Sequence, residues 1–145
     1  MKTRHTNIPA SYLILLKGQK TLLLQRANTG YEDGKYSLIA GHVEDGESFS
    51  ATIIREAWEE AGVALKKEDL AVVHIMHRKS ADSQRVDVFF FARKWEGEPS
   101  NKEPAKCASL DWFPLKELPE NTIAYVKEAL ELMQKQVFYS ERGWE

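Results

Sequence analysis

The chain has 145 residues, 43% of them hydrophobic and 29% charged, with a formal net charge of −2. That size and balance fit one globular domain over 1–145 with a hydrophobic core of its own. The composition is ordinary for a soluble globular protein, and the near-neutral charge gives no basic footprint for a duplex nucleic acid.

No apolar run approaches the roughly 18 residues of a membrane span. The opening MKTRHTNIPA has no apolar signal segment. A single cysteine, Cys107, excludes an internal disulfide and fits a reducing compartment, so a cytoplasmic location is expected. No histidine motif accompanies Cys107, and an inert thiol is expected.

Residues 1–10 read as a polar lead-in. The apolar runs 12–16 and 21–24 flank Lys17-Gly18-Gln19-Lys20 and predict a β-hairpin. Both runs are apolar at consecutive positions, which predicts two covered faces. Residues 26–35, RANTGYEDGK, read as a loop, and 36–40 as a short strand.

The spacing predicts a helix over 48–61. Phe49, Ile53 and Ala57 fall on one face, which Ile54 and Trp58 broaden. Gly62 stands where a helix-ending glycine belongs. Glu44, Asp45 and Glu47 flank the helix start, which suits its dipole. A polar connector, 66–69, leads to predicted strands at 71–78 and 85–95. In the second, Val86, Val88, Phe90 and Ala92 form one face and Phe89 and Phe91 the other, so it belongs at the centre of a sheet. Phe89 to Phe91 are read as core rather than as a stacking platform.

Residues 96–105 read as a loop, 109–113 as a strand and 122–136 as a helix carrying Ile123, Val126, Leu130 and Val137. The tail FYSERGWE has no clear period. Its aromatic residues are expected to pack on the chain's own body or on a neighbouring subunit. The order β-β-β-α-β-β-β-α predicts an α/β (α+β) fold, a mixed sheet between helices in α/β/α layers. A GxGxxG dinucleotide fingerprint is absent.

One stretch carries the chemistry. On the predicted helix Glu56 lies beside both Glu59 and Glu60. Three carboxylates on one patch repel each other by a few tenths of a kcal/mol per pair (~0.2–0.5). A hard divalent cation among them reverses that sign.

The full pattern is Gly41, five residues, Glu47, seven residues, Arg55-Glu56, two residues, Glu59-Glu60, one residue, Gly62 and an apolar Val63. It resembles the Nudix box without gap or substitution, and the similarity to Nudix hydrolases extends over most of the chain. The resemblance implies the Nudix fold and hydrolysis of a nucleoside diphosphate linked to another group. It implies magnesium, with manganese as a substitute. Glu56, Glu59 and Glu60 would hold the ion, with the Gly41 carbonyl adding a ligand. Arg55 would orient Glu47 or Glu59, leaving Glu47 and Gly62 structural. His42 stands where many members have a second glycine and is not expected to be a ligand. The general base would be Glu59 or Glu60 in the box, or Glu103 in the loop 101–104.

Substrate markers are fewer. Residues 77–81 lack the proline often found there in ADP-ribose hydrolases. No tyrosine between Tyr36 and Tyr125 matches the diadenosine polyphosphate hydrolases. The segments WEGEP, LDWF and LPEN resemble mutator-type nucleoside triphosphate pyrophosphohydrolases, in which an asparagine at the start of the last helix reads the base. Asn121 occupies a similar place, with a helix N-cap as its alternative role. Arg26, Tyr31 and Asp33 could contact phosphate or base, or simply build a turn. Arg78 and Arg85 could bind phosphate or be ordinary surface. His74 and His77, three apart on a strand, face opposite sides and are expected to be structural.

The expected activity is magnesium-dependent cleavage of a nucleoside triphosphate to monophosphate and pyrophosphate. The alternatives are hydrolysis of ADP-ribose or another nucleoside diphosphate sugar, and a catalytically silent nucleotide-binding regulator. The expected partner is a small nucleotide, with no nucleic acid polymer and no membrane, acting on a monomer or homodimer.

Overall fold

A computed structural model describes residues 3–145. Its strands are β1 (Ile8–Ile14), β2 (Leu16–Lys17), β3 (Lys20–Arg26), β4 (Tyr36–Ser37), β5 (Ile39–His42), β6 (Leu70–Lys79), β7 (Gln84–Ala92), β8 (Cys107–Pro114) and β9 (Tyr139–Arg142). Two helices, α1 (Phe49–Ala61) and α2 (Ala124–Gln134), and a 3-10 turn at Lys67–Asp69 complete it. The strands form a five-stranded mixed sheet in the order β5-β1-β7-β6-β9, and a four-stranded sheet in which β3 lies between β2 and β4 on one side and β8 on the other. In the first sheet β1 runs parallel to β7 and β6 parallel to β9, while β1–β5 and β6–β7 are antiparallel.

Strand alternation explains the layers. On β1, Tyr12 and Ile14 join the core under α2, whereas Leu13, and Leu15 just beyond the strand, join the core under α1. On β7, Val86, Val88, Phe90 and Ala92 face α1's core and Phe89 and Phe91 face α2's, as the period-2 pattern predicts. Helix α1 contributes Ile53, Ala57 and Ala61, all fully buried. Helix α2 contributes Val126, Ala129 and Leu130. The mixed sheet between two helices is the expected α/β/α arrangement.

Several expectations are corrected. The hairpin exists only at its tip, where β2 and β3 turn through Gly18 at φ 63°. Most of the first apolar run lies in β1, which departs to the other sheet and pairs with β5 and β7 instead. The strand expected at 36–40 is split. Tyr36–Ser37 pairs with β3 and Ile39–His42 pairs with β1, so the chain changes sheet at the buried Leu38. Trp58 does not broaden the apolar face of α1 and is 63% exposed. Helical rotation carries it off the face of Ile53 and Ala57. Strand β7 ends at Ala92 rather than Trp95, beyond which the bridge from Ala64 to Glu96 takes the chain away. Helix α2 ends at Gln134, and the left-handed Gln136 (φ 61°) turns Val137 off the helix.

The tail is a strand. It packs on the chain's own body as β9, parallel to β6. The buried imidazole of His74 bonds the Val137 carbonyl at 2.7 Å and Ser140 Oγ at 2.8 Å, and Trp144 Nε1 donates to the His77 carbonyl at 3.0 Å. Among the described residues, no helix is long and apolar enough to cross a membrane.

Candidate active site

Helix α1 is fixed at both ends. Ser48 Oγ accepts from the Ala51 N–H at 3.1 Å, a normal N-cap. Gly62, at φ 67°, caps the other end, with backbone N–H bonds to Ala57 and Trp58 carbonyls. A helix with fixed ends presents Arg55, Glu56, Glu59 and Glu60 in set directions.

Arg55 gathers the carboxylates around it. Its Nε donates to Glu47 Oε2 at 2.8 Å and its Nη2 to Glu47 Oε1 at 3.0 Å, a two-point pair. Its Nη1 donates to Glu56 at 2.6 Å and to Glu59 at 3.2 Å. Glu47 also accepts from the Glu44 N–H and the Thr52 hydroxyl, so it ties the loop to the helix. The Arg55 guanidinium, with these donors, holds the Glu47 carboxyl down at about 2.

Glu56 and Glu60 stand in the opposite situation. Burial pushes the Glu60 carboxyl well above the ordinary range, and the neighbouring Glu56 adds to it. Burial raises Glu56 as well, against the pull of Arg55. Glu60 Oε2 is buried and has no hydrogen-bond partner. Gly41 lies against Glu56, and a Cβ there would fall onto its carboxyl. A buried orphan carboxylate oxygen beside a second carboxylate fits a hard divalent cation. The three glutamates are not drawn into a ready-made cage: among the described residues no three His, Cys, Asp or Glu side chains have that geometry. Glu59, with a side chain 48% exposed, is held by Arg55.

The glutamates line a cleft of about 420 Å³ together with Leu24, Arg26, Asn28, Thr29, Glu103, Lys106 and Cys107. The fold thus brings Glu103, far off in sequence, to the same cleft. Its loop is pinned to the end of α1 by Ser100 N–H to the Ala61 carbonyl and Lys102 N–H to the Glu60 carbonyl, at 3.0 and 3.1 Å. The Asn101 amide bonds the Cys107 carbonyl at 2.7 Å, which closes the loop on itself. Burial pushes the Cys107 thiol up, away from a reactive thiolate.

A second cleft, of about 430 Å³, adjoins the first through Arg26, which lines both. Tyr12, Tyr31, Tyr125, His42, Arg85 and Gly41 are among its walls. Arg26 donates to the Tyr31 carbonyl and to Thr29, and its guanidinium lies 5.4 Å from the Tyr31 ring centre. Asp33 accepts from the Thr29 and Gly30 N–H groups, which accounts for it as a turn residue. Arg85 donates to His42 Nε2 at 3.2 Å, and burial lowers the His42 pKa. Arg85 is therefore a cleft residue. Arg78 is buried rather than surface.

Asn121 is placed elsewhere. Its amide donates to the Gly34 carbonyl at 2.8 Å, and it lines neither cleft. It is not the N-cap of α2 either; that position is Ile123, without a side-chain cap. Sequence reasoning missed Tyr12 and Tyr125 as cleft residues. The available signal was a hydroxyl-bearing ring inside an otherwise apolar run.

The NUDIX domain model matches residues 6–135. Over 107 residues the chain is 30% identical to an ADP-ribose pyrophosphatase of Methanocaldococcus jannaschii, covering 74% of this chain and 62% of that protein. It is 26% identical over 111 residues to the NAD-capped RNA hydrolase NudC of Chromobacterium violaceum, covering 77% of this chain and 39% of that one. The chain therefore spans less than two thirds of the length of these curated relatives. The crystal structure of a MutT NUDIX hydrolase from Burkholderia pseudomallei is similar at a TM-score of 0.80 and 26% identity, over 88% of this chain and 98% of that one. The MutT protein of Methanosarcina mazei Go1 shares the fold at a TM-score of 0.79 and 19% identity, over 93% and 98% of the two chains.

Proposed function

The chain belongs to the NUDIX family, whose hydrolases act on phosphorus-containing anhydrides, and from that premise we propose that it cleaves a nucleoside diphosphate linked to a second group, using a divalent cation. The observation that carries this reading is the unpartnered, buried Glu60 oxygen beside Glu56, at the wall of a cleft that also holds Arg26 and Lys106. Acidic groups for a cation and basic groups for phosphate oxygens share one cavity.

Glu56, Glu59 and Glu60, with the Gly41 carbonyl, would hold magnesium or manganese. When bound, such an ion supplies Lewis-acid charge to the diphosphate and to the attacking water. Arg55 keeps Glu56 and Glu59 oriented and partly neutralises the cluster before any cation arrives. Arg26 and Lys106 bind phosphate oxygens. Glu103 or Glu59 accepts the proton of the attacking water, a role worth ~10²–10⁴ in rate. Glu103 sits in the cleft on a pinned loop, which supports it for this task.

The primary substrate reading is a nucleoside triphosphate, cleaved to monophosphate and pyrophosphate. The C-terminal segments and the two basic residues of the cleft support it. A nucleoside diphosphate sugar is the second reading, favoured by the 30% identity to an ADP-ribose pyrophosphatase. A panel of triphosphates, ADP-ribose and dinucleotides, with magnesium or manganese and chromatographic product analysis, separates the two. Pyrophosphate as product supports the first and two monophosphates the second. No turnover of any compound with either ion overturns both and leaves the binding-module reading.

A further inference from the structure

Strand β9 is the outer strand of the five-stranded sheet, and among the described residues no strand pairs with its free side. The Ile75 N–H donates to the Phe138 carbonyl at 2.8 Å, and Ile75 is the ladder partner of Tyr139. Alternation along the strand then assigns the ladder with β6 to Phe138, Ser140 and Arg142. The N–H and C=O groups of Tyr139 and Glu141 point the other way. Bare edges of this kind are commonly blunted by proline, lysine or a bulge, and β9 has none of these.

The surroundings of this edge are apolar, and the strand is firmly held. Among the described residues, four of the seven exposed large hydrophobic side chains lie on this segment: Val137, Phe138, Tyr139 and Trp144. Phe138 is 53% exposed and Tyr139 49%. Ser140 is tied to the buried His74, and Arg142 Nη1 donates to Glu128 of α2 at 3.1 Å. Trp144 anchors the following turn on the His77 carbonyl. A strand already fixed in this way loses little freedom when another strand docks on it. Main-chain hydrogen bonds would accept any extended segment, so the side chains decide which one fits.

We propose that the occupant is β9 of a second copy of this chain, antiparallel to the first across a two-fold axis at Ser140. An axis at Glu141 would set that carboxylate against its own copy, which is unfavourable. An axis at Tyr139 would set it against the apolar Val137. The axis at Ser140 sets Tyr139 opposite Glu141 in both halves, and both outward residues exchange N–H and C=O bonds with the other copy. The Tyr139 hydroxyl donates to Glu141 within the chain at 2.7 Å, and across the axis it meets the equivalent carboxylate. Phe138 falls opposite Arg142, a ring against a cation. Ser140, the smallest residue of the strand, meets itself at the non-hydrogen-bonded position, where strands approach closest. A net charge of −2 leaves little repulsion between copies. The pairing depends on neither the cation nor the substrate.

The test is sedimentation equilibrium of the full chain over a concentration series. The wild type should rise from 16.6 kDa at high dilution toward twice that mass. Tyr139→Glu sets two carboxylates opposite each other in both halves, and should weaken the dimer by about tenfold in Kd. Adding Glu141→Lys to that variant sets opposite charges there, and should recover most of the loss. Both variants should melt close to wild type, because the two side chains are exposed. A single 16.6 kDa species at every concentration overturns the proposal. So does a dimer that Tyr139→Glu leaves unchanged, or one that the double variant fails to restore. If either variant does not melt cooperatively, amide hydrogen exchange of the wild type decides. The Tyr139 and Glu141 N–H groups should then exchange more slowly as concentration rises, and exchange that ignores concentration overturns the pairing. A monomer that takes up an added extended peptide at this edge gives the edge to a different partner and overturns the second copy.

Discussion

Glu60 and Glu47 are pushed in opposite directions within one helix–loop unit, and their pH dependences differ in sign. Burial raises Glu60, so the native state keeps a proton that the unfolded chain has already released. Across that window the stability of the cation-free protein falls as pH rises. Glu47 is held at about 2, below its ordinary 4.5, by Arg55. Its contribution is complete above the ordinary value and is lost as pH falls toward the lower one. Glu60→Gln should therefore raise the melting temperature of the cation-free protein at neutral pH, and Glu47→Gln should lower it. On acidification the Glu60 difference should vanish first. Magnesium should raise the wild-type melting temperature and leave Glu60→Gln nearly unmoved, while that variant, short of one cation ligand, loses kcat. Thermal melts across pH, with and without magnesium, check the stability outcomes, and steady-state kinetics checks kcat. A Glu60→Gln variant that melts lower than wild type at neutral pH would contradict the burial argument.

At the scale of elements, two segments act by holding others in place. The Asn121 amide fixes the first loop through the Gly34 carbonyl. Asn121→Ala should raise KM by about fivefold, the size of one hydrogen bond, with kcat kept and all bases affected alike. Steady-state kinetics on a set of bases measures this; a base-selective loss would instead support Asn121 as a reader of the base. Strand β9 and the turn before it supply both partners of the buried His74. Deleting 137–145 leaves that imidazole without them and bares the β6 edge. Urea unfolding should report a loss of at least about 2 kcal/mol. The box helix was legible in the sequence because caps and apolar spacing are local signals, and they fix α1 to within a residue. Strand β9 was not legible. Its hydrogen bonds run to β6, some sixty residues away, and its own residues are largely exposed, so no period appears.

The whole molecule is two cores on opposite faces of the five-stranded sheet, with the glutamate-lined cleft on the α1 side and the tyrosine-walled cleft on the α2 side. Ile53→Ala and Leu130→Ala each empty a fully buried site, and each should cost about 2–5 kcal/mol. Only Ile53 shares a helix with the glutamates. At temperatures where both variants remain folded, Ile53→Ala alone should lower kcat, a comparison that denaturation and kinetics together settle. Equal losses of kcat would mean that the two layers are not separable.

The sequence alone determined the layer order, the central place of β7 and the carboxylate cluster with its arginine. Each is written in short-range periods of 2 or 3.6 residues, or in a motif within one helix turn. Tertiary structure alone decided the change of sheet at Leu38, the arrival of Glu103 beside Glu60 and the meeting of Tyr12, Tyr31 and Tyr125 at one cleft. These depend on which strands become neighbours. That choice is made by burying both faces of the sheet at once, and no local pattern encodes it.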